Sequence, residues 1–251
     1  MSGRGDRRWP WITIAVLASL AGVAIWQWDA VVALLAGSDD EGELQTTNSD
    51  GRSGAMLVPE DRRGEELPLA VLLHQSGSSG DRILRDFAGE ARRRGFAAVA
   101  PSSGRASSGG LGWELADGPG ALSDDREHVL ACIEEARERG DLEPDEDRVL
   151  IAGYGKGGAA AAQIATNDPL FTSFAVLHGD IRPETTGGNA PRGWFSTSES
   201  DRSYPPRRVE RWARRLRGGA HPEIVFRVFS AGGARPAAEE IEALLDWWLA
   251  F

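Results

Sequence analysis

A glycine-rich turn in the middle of the chain has the shape of a catalytic elbow but lacks the side chain that would do the chemistry. The apolar run Arg148–Ala152 predicts a strand, and the alanine-rich run 159–165 predicts a helix. Between them the sequence reads Gly153-Tyr-Gly-Lys-Gly157. In a strand–turn–helix of the form G-x-S-x-G, the apex residue is an exposed, nucleophilic serine. The apex here is Gly155, so the pattern predicts the turn and no nucleophile at it.

Other elements must position this turn, and apolar runs alternate with helical patterns along most of the chain. This alternation predicts an α/β fold with a mostly parallel sheet and helices on both faces. Ligands of such sheets bind beyond the carboxyl ends of the strands. The predicted strands are Leu69–His74, Phe96–Ala100, Arg148–Ala152, Ser173–Leu177, Gly193–Ser196 and Ile224–Phe229. The predicted helices are 81–94, 123–139, 159–165, 206–217 and 237–249.

Composition excludes several function classes. The chain has 251 residues and a formal net charge of −10, which argues against nucleic-acid binding. Cys132 is the only cysteine, so an internal disulfide and a metal site built on several cysteines are excluded. It lies in a helical pattern, which predicts a small packed side chain. No spacing of histidines and carboxylates indicates a metal site, and we expect no cofactor.

The first 36 residues predict a membrane anchor. The apolar run Trp9–Trp28 is long enough to span a hydrocarbon core as a helix. Arginines precede this run and acidic residues follow it, which favours an anchored protein whose soluble domain lies on the extracytoplasmic side. A cleaved signal peptide and a buried helix are the alternatives. Residues 37–54 are polar, acidic and glycine-rich, so they predict a flexible linker before a single domain at 55–251.

From Met56 to its C-terminus, the chain resembles the α/β-hydrolase superfamily. The resemblance is to the polyhydroxybutyrate depolymerase, feruloyl esterase and dienelactone hydrolase-like esterases. It is carried by the order and spacing of five motifs. These are Pro68–His74 before an oxyanion loop in which Gln75 replaces the usual glycine, Phe96–Pro101, Asp145–Gly153, the acid loop Asp201–Pro205 and the histidine loop Gly232–Pro236.

The resemblance implies a catalytic triad in the chain order Ser, Asp, His. The matched positions here are Gly155, Asp201 and Ala234, so the nucleophile and the general base are both missing. The resemblance therefore implies an α/β-hydrolase fold and a non-catalytic pseudo-esterase with a binding or scaffolding role. The expected ligand is a small acyl or aromatic molecule, or a protein partner at the cell surface. The residues expected around its pocket are Gln75, Ser76, Lys156 and Trp113.

Two other functions stay open at this stage. An active carboxylic-ester hydrolase would need relocated residues, such as a serine from the loops after the first two predicted strands. The histidines offer few bases, because His74 is expected to support the oxyanion loop and His128 and His221 read as surface residues. His178 follows a strand and could face the cleft. Alternatively, the glycines form the G-x-G-x-x-G pattern of a dinucleotide site, as Gly153, Gly155 and Gly158, with Asp180 following the next strand.

Overall fold

The structure covers the predicted domain and leaves out the predicted anchor. The computed structural model describes residues 40–45, 52–104, 112–114, 124–181, 187–218, 223–233 and 235–250. The predicted anchor at 9–28 and the whole of 1–36 lie outside these residues. Within the described residues, no helix combines the length and the apolar character needed to cross a membrane.

One mixed sheet forms the centre of the domain and confirms the predicted, mostly parallel arrangement. Its strands in chain order are β1 Asp40–Gln45, β2 Ser53–Val58, β3 Glu66–Leu73, β4 Ala97–Pro101, β5 Glu143–Tyr154, β6 Ser173–Leu177, β7 Arg192–Ser198 and β8 Ile224–Phe229. They lie in the order β1-β2-β4-β3-β5-β6-β7-β8. Only β2 runs against the others, since it pairs antiparallel with both β1 and β4 and every other pair is parallel.

Helices cover both faces of the sheet, as the alternating pattern predicts. The helices are α1 Gly80–Arg94, α2 Asp124–Gly140, α3 Lys156–Asn167, α4 Pro206–Arg217 and α5 Ala238–Leu249, and a 3-10 turn spans Glu60–Arg62. One apolar core joins α2, α3 and α4 to the first face, and a second core joins α1 and α5 to the other. Because both faces are covered, β3 is buried from Leu67 to Leu73 and shows no polar alternation.

The helix boundaries follow ordinary capping chemistry. The helix α1 ends at Gly95, whose φ of +71° is the left-handed conformation that glycine adopts without a Cβ clash. The Gly95 N–H donates to the carbonyl of Ala91 at 2.9 Å. At the other end of a helix, Pro206 occupies the first turn of α4, where a missing N–H costs nothing.

The linker predicted at 37–54 is wrong for the part of it that the structure describes. Residues Asp40–Gln45 form β1, and Ser53 and Gly54 already belong to β2. The side chain of Leu44 is fully buried, and Gly42 lies opposite Met56 in the register. The acidic and glycine-rich composition reflects a strand at the edge of the sheet, where charged residues are common, and the domain begins earlier than residue 55.

Candidate functional site

Three strand ends meet at the centre of the carboxyl edge of the sheet. In the parallel register, Leu73 of β3 lies beside Gly153 of β5, and Leu177 of β6 lies beside Tyr154. The residues that follow these strands therefore come together at one edge. This register places the loop after β3, the glycine turn after β5 and His178 after β6 around one position, which is Gly155.

The glycine turn has the backbone geometry of an elbow. Gly155 has φ +55° and ψ −116°, a conformation that is strained for any residue with a side chain. Its N–H donates to the carbonyl of Leu177 at 3.0 Å, and α3 begins at the next residue. A Cβ added at Gly153 would overlap the backbone of Gly157, and one added at Gly157 would overlap the carbonyl of Leu73. These two glycines therefore allow the helix to pack closely against the strands.

The apex of the elbow has room for a side chain. A Cβ at Gly155 would lie 3.7 Å from the Tyr204 hydroxyl and 3.8 Å from both the Gln75 Cβ and the His178 carbonyl oxygen. All three are ordinary van der Waals contacts. Crowding does not require glycine at this position; the positive φ is the only feature that favours it.

Of the residues predicted to surround the pocket, Gln75 and Lys156 lie next to the apex of the elbow, and within the described residues Ser76 has no contact with it. Gln75 is half-buried and lies next to the Gly155 position, and Lys156 is exposed at the first position of α3. The first amides of a helix have no partner inside it, so the Lys156 N–H is available to a ligand. Ser76 is exposed in a tight turn closed by a bond from the Ser78 N–H to the Gln75 carbonyl at 3.1 Å. No contact in the described residues brings Ser76 to the apex.

Trp113 packs against His74 at the start of the loop after β3 and does not line an open pocket. It is almost fully buried, and its indole N–H donates to the His74 carbonyl at 2.7 Å. Its ring centroid lies 5.2 Å from that of His74. The pocket-lining prediction for Trp113 is therefore wrong: the indole packs on His74 and holds the end of β3.

The imidazole of His74 is a neutral structural group. Its Nε2 accepts the Ser103 N–H at 2.9 Å, so its proton is on Nδ1, which donates to the Gln75 carbonyl at 2.7 Å. Burial lowers the pKa of His74 and outweighs the bond to Gln75, which raises it. Both nitrogens are occupied, as the predicted supporting role requires.

Asp201 is held in a fixed orientation by the turn that follows β7. Its Oδ1 accepts the N–H groups of Ser203 at 2.8 Å and Tyr204 at 2.9 Å. Its Oδ2 accepts from His178 Nδ1 at 2.7 Å. The carboxylate is buried and has both oxygens occupied, so its histidine partner is His178, which lies at the end of β6.

His178 bridges two buried carboxylates. Its Nε2 lies 3.0 Å from Oε2 of Glu240 on α5, while Nδ1 binds Asp201. Burial by itself lowers the pKa of His178, but the bonds and charges of Glu240 and Asp201 outweigh burial and raise it. A protonated ring donates at both nitrogens, so the two carboxylates favour the imidazolium form. The alternative in which His178 faces the cleft does not hold, because its side chain is buried between Asp201 and Glu240.

His128 is also buried, which corrects its prediction as a surface residue. It lies on α2 with Nε2 at 3.8 Å from the Cys132 sulfur. Burial, followed by the charge of Arg52, lowers its pKa to about 4. Cys132 is fully buried as predicted, and burial raises the pKa of its thiol to about 12, so the thiol is unreactive.

Comparisons with known proteins agree with this arrangement. No family model matches the chain, and no curated protein matches it. Solved structures do match. The structure of esterase PE8 superposes with a TM-score of 0.61 at 18% identity, covering 79% of this chain and 98% of the esterase. The S-formylglutathione hydrolase of Staphylococcus aureus gives 0.62 at 14% identity, over 83% of this chain and 98% of that one. The Zea mays acyl-protein thioesterase 2 gives 0.55 at 17% identity, over 78% and 97%.

The chain has the α/β-hydrolase fold. The predicted recognition is thereby confirmed at the level of the fold, and the antiparallel β2 and the elbow after β5 fit it. The elbow accounts for the glycines of the G-x-G-x-x-G pattern, because a Cβ at Gly153 or Gly158 would overlap backbone atoms and Gly155 has a positive φ. No observation on the described residues favours a dinucleotide site. Within the same residues, no group of three or more histidine, cysteine, aspartate or glutamate side chains is arranged so that it could hold a metal ion.

The loop that would carry the base of a hydrolase lies beside the acid loop. Ser198 donates to the Gly233 carbonyl at 3.1 Å, and Ser200 donates to the Gly232 carbonyl at 3.3 Å. Ala234 itself lies outside the described residues. An alanine has no proton acceptor in its side chain, whatever its position in this loop.

Sequence reasoning missed Glu240. The signal was present, because a glutamate lies on the otherwise apolar face of α5 with Ile241, Leu244, Leu245 and Trp248. A charged residue on such a face needs a buried partner. The partner is His178, 62 positions away in the chain. The sequence indicates that Glu240 needs a buried partner, and only the fold shows which residue it is.

Proposed function

We propose that this α/β-hydrolase-fold protein is a membrane-anchored pseudo-esterase that binds a ligand at its elbow without hydrolysing it. The observation that carries the proposal is Gly155 at the apex of an intact elbow. The backbone that would present a nucleophile is kept, while the nucleophilic atom is missing. Loss of the serine and the histidine together removes a rate factor on the order of 10⁶, because the triad acts as a unit.

The state of Asp201 supports the same proposal. In a working triad the acid orients a histidine that shuttles protons at the nucleophile. Here both oxygens of Asp201 are occupied, and its partner His178 is bound by Glu240 on the other side. Neither nitrogen of His178 is free to accept a proton, so this histidine is a poor substitute for the missing base.

The expected ligand follows from the groups around the apex. The Lys156 N–H at the start of α3 and the exposed Lys156 ammonium favour an anionic or polarised oxygen. The Tyr204 hydroxyl and the Cβ of Gln75 both lie within 4 Å of the vacant Cβ position. A small carboxylic acid with an acyl or aromatic tail suits this combination. Anchoring through residues 9–28, with the domain on the extracytoplasmic side, belongs to the proposal as well.

The first test measures hydrolysis. The full chain is assayed with p-nitrophenyl butyrate and is treated with a fluorophosphonate probe that labels activated serines. We expect a rate equal to the buffer blank and no labelled peptide. A labelled serine, mapped by mass spectrometry, would overturn the proposal in favour of a hydrolase with relocated residues; Ser76 and Ser103 are the first positions to inspect.

The second test measures binding. Butyrate and a set of aromatic acids are screened against the full chain by saturation-transfer NMR. The Gly155→Leu variant fills the apex and is expected to abolish the signal. The matched control is Gly89→Leu, since Gly89 lies on α1 with no atom within 4 Å of an added Cβ. Equal signals from the parent and Gly155→Leu would place the ligand elsewhere and refute binding at the elbow.

A further inference from the structure

The helix α4 concentrates positive charge in an acidic protein. It carries six arginines and one glutamate in twelve residues, whereas the whole chain has a net charge of −10. The helix α2 shows the opposite balance, with three arginines against six acidic residues. Lys156 is the only lysine of the chain, so arginine supplies nearly all of its side-chain positive charge. This preference for arginine over lysine does not explain why six arginines lie on one helix.

The arginines of α4 lie on its outer face. Val209, Ala213 and Leu216 are buried and pack into the core of the first face of the sheet. These positions define the inner side of the helix, so the residues about half a turn away point to solvent. The exposed members of the outer face are Arg207, Arg208, Arg211, Arg214 and Arg215.

Little of this charge is neutralised within the described residues. Arg208 pairs with Asp180, and Arg214 pairs with Glu210 at 2.6 Å, while more than two fifths of each of these arginine side chains is exposed. No ion pair in the described part of the chain involves Arg207 or Arg211. The helix α1 carries five arginines and three acidic residues, and Arg85 and Arg93 each pair with an acid on that helix. The helix α4, with six arginines and one glutamate, is therefore the most basic helix in the described part of the chain.

The shape of this surface favours an extended partner. The arginines are spread along a helix about 18 Å long and do not converge on a pocket. Beside α4, the edge strand β8 exposes Val228, which is 41% exposed and lies on the same face of the sheet as Ile224 and Phe226. A row of cations beside an apolar side chain suits a surface with many negative charges, such as phospholipid headgroups.

We propose that the outer face of α4 binds anionic phospholipid headgroups of the membrane to which the domain is anchored. The inference rests on the proposed anchoring for its partner, because a span at residues 9–28 keeps the domain beside a bilayer. The acidic remainder of the chain is repelled by the same surface. Attraction at α4 and repulsion elsewhere turn α4 toward the headgroups. Because the contact is electrostatic, added salt weakens it.

The experiment uses the full chain reconstituted in vesicles of phosphatidylcholine alone or with 30% phosphatidylglycerol. Phenylglyoxal modifies accessible arginines, and mass spectrometry reads each site. We expect Arg207, Arg211 and Arg214 to react at least threefold more slowly in the anionic vesicles. The exposed arginines of α1 serve as an internal reference, and 0.5 M salt should remove the difference. Equal modification of α4 in the two kinds of vesicle would overturn the proposal.

Two charge-matched variants sharpen the result. R207E/R211E/R214E should abolish the slower modification of Arg208 and Arg215, whereas R82E/R85E/R93E on α1 changes the net charge equally and should leave it intact. Equal losses in both variants would refute a specific role of α4. Stronger protection by single-stranded DNA than by vesicles of equal charge would also overturn the lipid assignment.

Anchoring is tested separately in the same preparations. Flotation with neutral vesicles at 0.5 M salt reports a hydrophobic span and does not depend on α4. Loss of this flotation with retained protection of α4 in anionic vesicles would refute the anchor and support the headgroup contact. Flotation without protection of α4 would support the anchor and refute the headgroup contact.

Discussion

His74 and His178 follow two strands on either side of the elbow and are both buried, yet their surroundings favour different charge states. His74 binds a backbone N–H and a backbone carbonyl, and burial lowers its pKa. His178 binds two carboxylates, and although burial opposes it, their bonds and charges raise its pKa. The same side chain is therefore a neutral brace at one strand end and a cation at the other.

The protonation state of a buried histidine depends on its hydrogen-bond partners more than on how deeply it is buried. A ring that faces one donor and one acceptor is satisfied only when neutral, and a ring between two ionised carboxylates is satisfied only when charged. In both cases the two nitrogens are occupied. A buried histidine next to an elbow is consequently no evidence for a general base until its partners are known.

The largest expected effect comes from removing His178. The variant His178→Ala leaves Asp201 and Glu240 buried near each other without their shared cation. Breaking a buried ion pair in this way costs about 3–5 kcal/mol. The free energy of unfolding, measured by urea titration of the full chain, should fall by that amount. A loss below about 1 kcal/mol would show that the two carboxylates are neutral or solvated and would remove the contrast with His74.

A smaller loss is expected for His74→Ala. This change leaves the Ser103 N–H without its partner, and an unsatisfied buried group costs about 1–3 kcal/mol. The Gln75 carbonyl loses one of its two donors and keeps the Ser78 N–H. Trp113 also loses a packing surface. Urea titration should place this variant between the parent and His178→Ala. If it proves the less stable of the two variants, the hydrogen-bonded brace matters more than the ion cluster.

The variant Gly155→Ser tests whether His178 can act as a base. The new side chain fits, but the backbone conformation costs about 1–3 kcal/mol for a residue with a Cβ. Hydrolysis of p-nitrophenyl butyrate should stay at background, because His178 has no free nitrogen. Gly155→Ala is the control for stability, with an equal loss expected. Turnover by the serine variant that disappears in Gly155→Ser/His178→Gln would prove that His178 does accept a proton.

The smallest expected effect is a difference in pH dependence between the two histidines. His178 has a raised pKa, so its contribution is complete below its unfolded value of 6.5 and is lost as pH rises through the folded value. His74 has a lowered pKa, so its contribution is complete above 6.5 and is lost as pH falls. Unfolding free energies between pH 5 and 9 should therefore decline less on the alkaline side for His178→Gln and less on the acid side for His74→Gln. Parallel curves for the two variants would contradict the assigned charge states.

The sequence predicted most of the fold, since strong local patterns mark most elements. The ranges Ser173–Leu177, 206–217 and Ile224–Phe229 agree with the observed β6, α4 and β8. The strand β5 starts five residues before its predicted beginning, because Glu143 and Pro144 pair with the start of β3 across a bulge. The strand β1 was missed because its composition of acidic residues and glycine carries no apolar alternation.

The parts of the site that depend on short local motifs could be predicted, and the parts that depend on contacts between distant elements could not. Short motifs indicate the elbow at Gly155 and the acid Asp201. No motif indicates the partner of Asp201, because His178 follows β6 and Glu240 lies on α5, and only the fold brings them together. Trp113 shows the same limit, because the sequence does not distinguish a loop aromatic residue that lines a pocket from one that is buried beneath it.

Lys156, exposed directly after the elbow, is the single lysine of the chain. Amine-directed reagents can therefore attach at one side chain, apart from the N-terminal amine, and that side chain stands at the rim of the vacant apex. A fluorophore placed there would report occupancy of the elbow by a change in emission, without any engineered residue. The protein thus carries a natural attachment point for a sensor of the proposed ligand, next to the apex of the elbow.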